Sequence, residues 1–191
     1  LLSSTSKVTA EEQTPLFSGK KALLFWIFPV LLLTLIDQFT KYLSIVFLKN
    51  TNGKILIPGV LELSYVENRG MAFGMLQGKI PFLLIMCFFF LILALYIYIR
   101  MPKTAYYIPL MVLDMVVFAG ALGNFVDRFF RGYVVDFIYF SLIDFPTFNV
   151  ADIYVVCGGI LTVLFVLFKY KDVNGFAFLK SKSKTKHSQN R

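Results

Sequence analysis

Four long apolar segments, separated by polar stretches, dominate the hydropathy pattern of the chain. They cover residues 22–47, 80–99, 105–126 and 150–168. Each is close to the ~20 residues that an α-helix needs to cross about 30 Å of hydrocarbon. Because an unsatisfied backbone N–H or C=O group is costly in lipid, segments of this kind form helices. The pattern therefore predicts an all-α membrane protein with four transmembrane helices.

The two longer connections, 48–79 and 127–149, differ in pattern from simple linkers. Within the first, the stretch 55–66 contains an alternation of apolar and other side chains that is typical of a β-strand. We therefore expect residues 55–75 to form a small β-rich platform on the outer side. Residues 132–148 are too apolar for a free loop, and we expect them to lie against the bilayer or on the helix bundle.

Composition supports membrane insertion, and the basic residues predict the orientation. Hydrophobic residues make up 58% of the 191 residues and charged residues 16%, and the mean hydropathy is +0.72. Of the 19 Lys and Arg residues, 12 fall in the two tails and the turn at 100–103, against 6 in the two long connections. The positive-inside rule then places both tails in the cytoplasm. The net charge of +8 is expected to face anionic membrane lipids rather than nucleic acid.

These patterns divide the chain into three parts. Residues 1–21 are predicted to be a cytoplasmic tail, and residues 169–191 a basic cytoplasmic tail. Residues 22–168 form the four-helix transmembrane domain, with the connections 48–79 and 127–149 on the outer side. The Lys- and Ser-rich composition of the last part predicts a solvated or lipid-bound segment without a packed core.

Few residues could build a metal site or a nucleophilic triad. The one histidine, His187, lies in the C-terminal tail, and the two cysteines, Cys87 and Cys157, lie within apolar runs. A Ser-His-Asp triad would have to use that tail residue, and a zinc site would lack ligands. We therefore expect neither a metal nor another cofactor.

Polar residues inside the predicted helices are candidates for function. Asp37 and Lys41 are four residues apart and share a helix face. They can form an ion pair from which Lys41 extends outward, or a site for substrate or a lipid head group. Ser44 also allows a less favoured Ser–Lys nucleophile. Asp114 has no assigned role, since a protonated or hydrogen-bonded buried carboxyl is the default there.

Carboxylates also occur at the outer ends of the last two predicted helices. Asp127 and Asp152 each follow an asparagine, Asn124 and Asn149, by three residues. Residues three apart share a helix face. Two adjacent antiparallel helix ends at one membrane depth could bring these carboxylates together, as an aspartic protease requires.

Spacing alone leaves other roles and other partners open. Asn149 could simply cap the fourth helix, and Asp127 could pair with the adjacent Arg128. Asp136 is a rival partner for Asp127, and Asp144 is a weaker one because it is expected to be exposed in a loop.

The helix ends also predict how a pair of Asp127 and Asp152 would share one proton. Asp152, in the first turn of a helix, would be stabilised in its ionised form by the helix dipole, whereas Asp127 lies near a C-terminal end. The proton would then reside mainly on Asp127, and Asp152 would be the base that activates water. Arg128 is expected to point to the interface instead of folding back.

Five segments, taken together and in order, resemble the lipoprotein signal peptidase (signal peptidase II) family. They are DQFTK at 37–41, VENRGMAFG at 66–74, GALGNFVDR at 120–128, GYVVDF at 132–137 and FNVAD at 148–152. The resemblance covers about residues 22–168 and includes the four-span layout. Arg69 and Met71 depart from the family pattern in the loop that faces the substrate.

The resemblance implies an intramembrane aspartic endopeptidase of the bacterial cytoplasmic membrane. Such enzymes remove the signal peptide from diacylglyceryl-modified prolipoproteins just N-terminal to the lipidated cysteine, and globomycin inhibits them. We expect a monomer without a cofactor. By motif, Asp127 and Asp152 are assigned as the catalytic pair. The residues assigned to substrate binding or to shaping the site are Asp37, Lys41, Asn68, Gly70, Asn124, Arg128, Asn149 and Ala151.

Two other function classes are possible for a small membrane protein. A transporter or channel could use Asp37, Asp114 and Asp127 as a path for protons or cations. That function requires acidic residues through the whole membrane depth, whereas most of them here lie at the outer end. A non-catalytic scaffold leaves two carboxylates with matched asparagines unexplained. Cleavage of a diacylglyceryl prolipoprotein distinguishes the three classes.

Overall fold

Four long helices form a bundle. The computed structural model describes residues 14–71, 75–170 and 179. The helices are Gly19–Phe47 (α1), Ile80–Arg100 (α2), Ile108–Arg131 (α3) and Val150–Phe168 (α4). All four are long and apolar enough to cross a membrane, so the predicted four-helix architecture is confirmed. Most of both predicted tails lies outside the described residues.

A four-stranded antiparallel sheet covers one end of the bundle. Its strands, in spatial order, are Lys54–Ile57 (β1), Leu61–Asn68 (β2), Val134–Phe140 (β3) and Phe145–Phe148 (β4). The first two come from the connection predicted to be β-rich. The other two come from the apolar stretch 132–148, which does more than lie on the bundle, because its backbone pairs with β2 and extends the sheet.

The central helix of the bundle is α3, which packs against the other three. Glycines on α3 let its neighbours approach closely. A Cβ atom on Gly120 would lie 2.5 Å from the carbonyl oxygen of Ala151, and one on Gly123 would lie 2.4 Å from a carboxylate oxygen of Asp37. The first turn of α4 and the part of α1 around Asp37 therefore both pack closely against residues 120–123 of α3.

The end of α3 next to the sheet differs from the prediction. The helix was expected to end near Val126, but it continues to Arg131 and ends at Gly132, whose φ of +74° is the left-handed conformation that glycine adopts at low cost. The N–H group of Gly132 donates to the carbonyl of Arg128 at 3.2 Å. As a result, Asp127 lies within the helix rather than in the outer connection.

The end of the bundle opposite the sheet joins three parts of the chain. The N–H group of Leu16, before α1, donates to the carbonyl of Lys103 at 2.8 Å, in the turn between α2 and α3. The Tyr106 hydroxyl donates to the carbonyl of Lys169 at 3.1 Å, just after α4. The segments that lead into α1 and out of α4 therefore lie on the same side of the bundle.

Candidate active site

A cavity of about 470 Å³ lies between the sheet and the adjoining ends of α3 and α4. Three acids line it, Glu67 from β2, Asp136 from β3 and Asp152 from α4, together with Asn68, Asn124 and Arg128. Much of the remaining wall is apolar. Its apolar members are Val66, Met71, Val134, Phe145, Pro146, Phe148 and Val156. The cavity thus combines acidic side chains with an apolar surface, and of the three acids Glu67 already pairs with Lys49 and Arg69.

Asp136 is held by two asparagine side chains. Strand pairing places it opposite Val66 of β2, and its residue is only 2% exposed. Asn68 Nδ2 donates to its Oδ2 at 2.9 Å, and Asn149 Nδ2 donates to its Oδ1 at 2.6 Å. Burial raises the pKa of Asp136 to about 6, and the negative charge of Asp152 adds to the increase. This carboxyl is therefore suited to hold a proton.

Asp152 lies in the first turn of α4, where the helix end stabilises negative charge. It forms a reciprocal capping box with Asn149, because the Asp152 N–H donates to Asn149 Oδ1 at 3.0 Å and the Asn149 N–H donates to Asp152 Oδ2 at 3.1 Å. Asn124 Nδ2 donates to the other oxygen at 2.8 Å. The Asp152 carboxylate thus accepts from two donors at the positive end of the helix dipole.

The two carboxylates belong to one hydrogen-bond network through Asn149. Its Nδ2 donates both to Asp136 and to Asn124 Oδ1, the latter at 3.3 Å. Lys41 Nζ donates to the same Asn124 oxygen at 2.9 Å. Because Asn124 Oδ1 accepts from both Lys41 and Asn149, the Nδ2 group of Asn124 is the one that faces Asp152. The predicted N-cap at Asn149 is confirmed, and this residue also contacts both acids.

Asp127 has a different environment. It is fully buried, and Lys41 Nζ lies 3.0 Å from its Oδ2, while Arg131 Nη1 forms an ion pair with its Oδ1. Gln38 Nε2 donates to Oδ1 at 3.2 Å, and the backbone N–H of Val135 donates to Oδ2 at 3.1 Å. Both oxygens are thus occupied by cations and donors.

The structure does not bring the predicted pair of Asp127 and Asp152 together at the cavity. Asp127 does not line the cavity, whereas Asp136 and Asp152 do. The reason is that α3 extends past Asp127, so its side chain turns toward α1 and β3. The assignment of the shared proton to Asp127 depends on that pairing and stays a prediction, and both Lys41 and Arg131 contact this carboxylate. The alternative acid, Asp136, takes the place beside Asp152.

The ion pair between Asp37 and Lys41 is present, with Lys41 Nζ 2.9 Å from Asp37 Oδ2. Lys41 does not extend outward, because both side chains are fully buried and its ammonium also contacts Asp127. Asp37 Oδ1 accepts from the N–H of Ala151 at 2.9 Å, which fixes the start of α4. Within the described residues, Ser44 Oγ has no hydrogen-bond partner, so the Ser–Lys alternative gains no support.

Arg128 points into the site rather than to the interface. Its Nη2 donates to the carbonyl of Gly70 at 2.8 Å, which joins α3 to the loop after β2. A Cβ atom on Gly70 would lie 2.6 Å from the carbonyl oxygen of Met75, so this loop closes only around glycine. Asn68 Oδ1 accepts from the Gly70 N–H at 2.9 Å. Residues 72–74 of the same motif lie outside the described residues.

Sequence analysis did not identify two residues that contact Asp127, Arg131 and Gln38. Arg131 follows Asp127 by four residues, and that spacing could have identified it. The contact of Gln38 with Asp127 could not be predicted in this way, because a neutral amide does not form an ion pair whose spacing can be recognised. Asp144, the weaker rival acid, does not line the cavity and accepts from the Tyr139 hydroxyl at 2.7 Å in an exposed contact.

Known proteins resemble the chain over most of its length. A sequence model of the family described as Signal peptidase (SPase) II matches residues 29–168. A lipoprotein signal peptidase of Caldanaerobacter subterraneus subsp. tengcongensis is 41% identical over 135 residues, which cover 70% of this chain and 90% of that protein. A lipoprotein signal peptidase of Syntrophomonas wolfei is 41% identical over 138 residues, which cover 72% and 89%.

Solved structures agree with the fold. A bacterial membrane enzyme determined by the in meso method at 2.3 Å resolution superposes with a TM-score of 0.69 at 34% sequence identity, covering 86% of this chain and 96% of that one. A second, determined at 1.9 Å, gives 0.67 at 32% identity and covers 82% and 97%. The chain is therefore a multi-pass membrane protein that belongs to the signal peptidase II family, the aspartic-type endopeptidases that remove signal peptides from prolipoproteins.

Proposed function

We propose that Asp136 and Asp152 are the catalytic pair of this endopeptidase. The observation that carries the proposal is that both carboxylates line one cavity and are joined by Asn149, which hydrogen-bonds to each. Asp127 gives less support for such a role, because it contacts Lys41 and Arg131 and does not line the cavity. Two carboxylates that share one proton are the arrangement that peptide hydrolysis by an aspartic protease requires.

The different environments of the two acids assign their roles. Asp152, stabilised as a carboxylate, takes a proton from a water molecule whose oxygen attacks the scissile carbonyl carbon. Asp136, with its raised pKa, donates its proton toward the carbonyl oxygen. The tetrahedral intermediate collapses when Asp152 passes the proton taken from water to the nitrogen of the leaving amine and the C–N bond breaks. Asp136 takes its proton back from the hydroxyl group as the carbonyl forms again, so the pair returns to its starting state. Because the two acids interact, the proton belongs to the pair.

The wall of the cavity supports a lipid-modified substrate. We infer that cleavage occurs N-terminal to a diacylglyceryl-modified cysteine, because an apolar wall next to two acids suits a lipid beside a peptide bond. Asn68 and Arg128 link the loop after β2 to the site and would hold the substrate backbone near Asp136. The same cavity would bind globomycin.

We also propose that the sheet faces the outside of the bacterial cytoplasmic membrane and that both tails are cytoplasmic. Support comes from the excess of Lys and Arg in the tails and the 100–103 turn. The segments next to those tails lie at the end opposite the sheet. One chain supplies both acids, so a monomer suffices for activity.

The experiment compares single variants in a gel-shift assay on a diacylglyceryl prolipoprotein. Asp136→Asn and Asp152→Asn should each lower turnover by at least about 10³-fold while the protein remains folded. Asp144→Asn is the matched control, because it makes the same change at an exposed acid outside the cavity, and it should cleave like the unaltered protein. Measurable turnover by Asp136→Asn would contradict the proposed pair.

A further inference from the structure

A second cavity, of about 330 Å³, lies between α2, α3 and α4. Residues of α2 such as Leu93 and Ile97 form one wall, and Leu179, from the segment after α4, lies beside it. These residues place the cavity in the half of the bundle opposite the sheet. Its lining is apolar except for Asp114 and Thr162.

One face of α3 lines both cavities. Leu110, Asp114 and Val117 line the second cavity, and Asn124 and Arg128 line the first. Successive members of this set are three, four or seven residues apart, which places them on one face of a helix. The face runs from the catalytic site down to Asp114.

One face of α4 also lines both cavities. Asp152 and Val156 line the first cavity, and Gly159, Thr162 and Val166 line the second. These residues are again three or four apart. Together, the two faces run from one cavity to the other, and we use the name groove for the α3 and α4 faces that line the two cavities.

Asp114 is an unusual residue for the wall of such a groove. Its Oδ2 accepts from Trp26 Nε1 at 3.1 Å, and among the described residues it forms no salt bridge. Lys103 is a nearby cation whose charge acts on Asp114, but the Lys103 ammonium donates to the backbone carbonyls of Tyr98 and Met101. An ionised carboxylate in an apolar wall within the membrane is costly unless a cation pairs with it.

We propose that the groove holds the apolar helix of the substrate's signal peptide, and that Asp114 pairs with a basic residue at the amino-terminal end of that helix. This inference rests on the proposed function and orientation. Signal peptides carry a positively charged region followed by about 7–15 apolar residues. The positive region is on the cytoplasmic side, where Asp114 lies.

The dimensions of the groove match such a peptide. As a helix, 7–15 residues span about 10–22 Å. On α3, Asp114 is ten residues from Asn124, and on α4, Thr162 is ten residues from Asp152, so the axial separation is about 15 Å in both cases. A peptide with its scissile bond at the catalytic pair would therefore place its first basic residue near Asp114.

A charge-exchange experiment tests the pairing. Two prolipoprotein substrates would carry Lys or Gln at the junction of the basic and apolar regions, and cleavage would be followed with the full chain in phospholipid bicelles. The unaltered enzyme should prefer the Lys substrate by about tenfold in kcat/KM, mainly through KM. Asp114→Asn retains an acceptor for Trp26 but removes the charge, and it should abolish the preference. Asp144→Asn, the same change far from the groove, should keep it.

A second variant tests the groove itself. A Cβ atom on Gly159 would have no atom within 4 Å, so Gly159→Leu should fill the groove without disturbing the packing of α4. We expect KM to rise at least about tenfold at unchanged thermal stability. Cys157→Leu, which enlarges an exposed side chain two residues away, should leave KM unchanged.

The outcomes separate this inference from the proposed function. Equal preference for the Lys substrate in Asp114→Asn and the unaltered enzyme would overturn the pairing, and so would the absence of any preference. An unchanged KM in Gly159→Leu would overturn the groove as the binding site. A groove that holds only a lipid acyl chain would give a charge preference independent of Asp114. Failure to cleave either substrate, in contrast, would contradict the proposed function.

Discussion

Replacing Lys41 by methionine should strongly destabilise the fold. The Lys41 ammonium is fully buried, and it lies 2.9 Å from Asp37 and 3.0 Å from Asp127. Methionine fills most of the same volume but leaves two buried carboxylates with only Arg131 as a cation. Removing one partner of a buried ion pair costs about 3–5 kcal/mol, because the remaining charge stays desolvated. We therefore expect a loss in the free energy of unfolding of this size.

The assay is thermal unfolding of the purified protein in one detergent. For a chain of 150–250 residues, 1 kcal/mol corresponds to about 2–4 °C, so the Tm should fall by roughly 6–20 °C. Lys49→Met is the matched control, since its ion pair with Glu67 at 3.3 Å is partly exposed. Exposed pairs contribute about 0–1 kcal/mol, and the Tm of the control should hardly change.

A double variant tests the mechanism of the loss. Adding Asp37→Asn to Lys41→Met removes one unpaired charge but keeps an oxygen that can accept from the N–H of Ala151. The double variant should therefore recover about 1–3 kcal/mol relative to Lys41→Met alone. A Tm for Lys41→Met equal to that of Lys49→Met, or a double variant less stable than Lys41→Met, would refute the argument.

Three further predictions follow from the site. Because burial raises the pKa of Asp136 to about 6, the proton is retained below that pH, and kcat/KM of the free enzyme should fall as the pH rises through about 6; a rate that stays flat to pH 9 would contradict this. Gly123→Ala should lower the Tm by several degrees, since its Cβ would lie 2.4 Å from the carboxylate of Asp37; an unchanged Tm would mean that α1 and α3 can separate at low cost. In a chain without its native cysteines, a membrane-impermeant thiol reagent applied from outside should label Lys54→Cys and not Lys182→Cys, and the reverse result would invert the proposed topology.

The helices could be predicted closely because lipid permits few alternatives for an apolar run. The second and fourth helices begin at Ile80 and Val150, as predicted. The end of α3 was misplaced because charged residues such as Asp127 were taken as the membrane boundary. The signal of the true end, Gly132, was present in the sequence, but Asp127 and Arg131 could remain helical only because they pair with each other and with α1.

The proposed catalytic pair could not be predicted from spacing. Helix periodicity relates only residues on helices, whereas Asp136 lies on strand β3. The position of β3 depends on its pairing with β2, in which Asp136 is opposite Val66. The site residues near α4 were easier, because the capping pattern of Asn149 and Asp152 is local. The neighbouring sequence does not show whether an aspartate will contact cations or line a cavity. For Asp127, the contact with Lys41 forms only when α1 packs against α3.

The four aspartates near the site divide into two that hold the backbone and two that are proposed to react. Asp127 accepts from the N–H of Val135, which precedes Asp136, and Asp37 accepts from the N–H of Ala151, which precedes Asp152. Each catalytic candidate is therefore attached, through the residue before it, to a buried carboxylate, and Lys41 joins these two carboxylates. The charged cluster thereby fixes the distance between a strand and a helix that come from separate parts of the fold. Because that distance sets whether two carboxyl groups share one proton, we infer that the buried ion pairs act on catalysis through position, while the chemistry stays with the acids in the cavity.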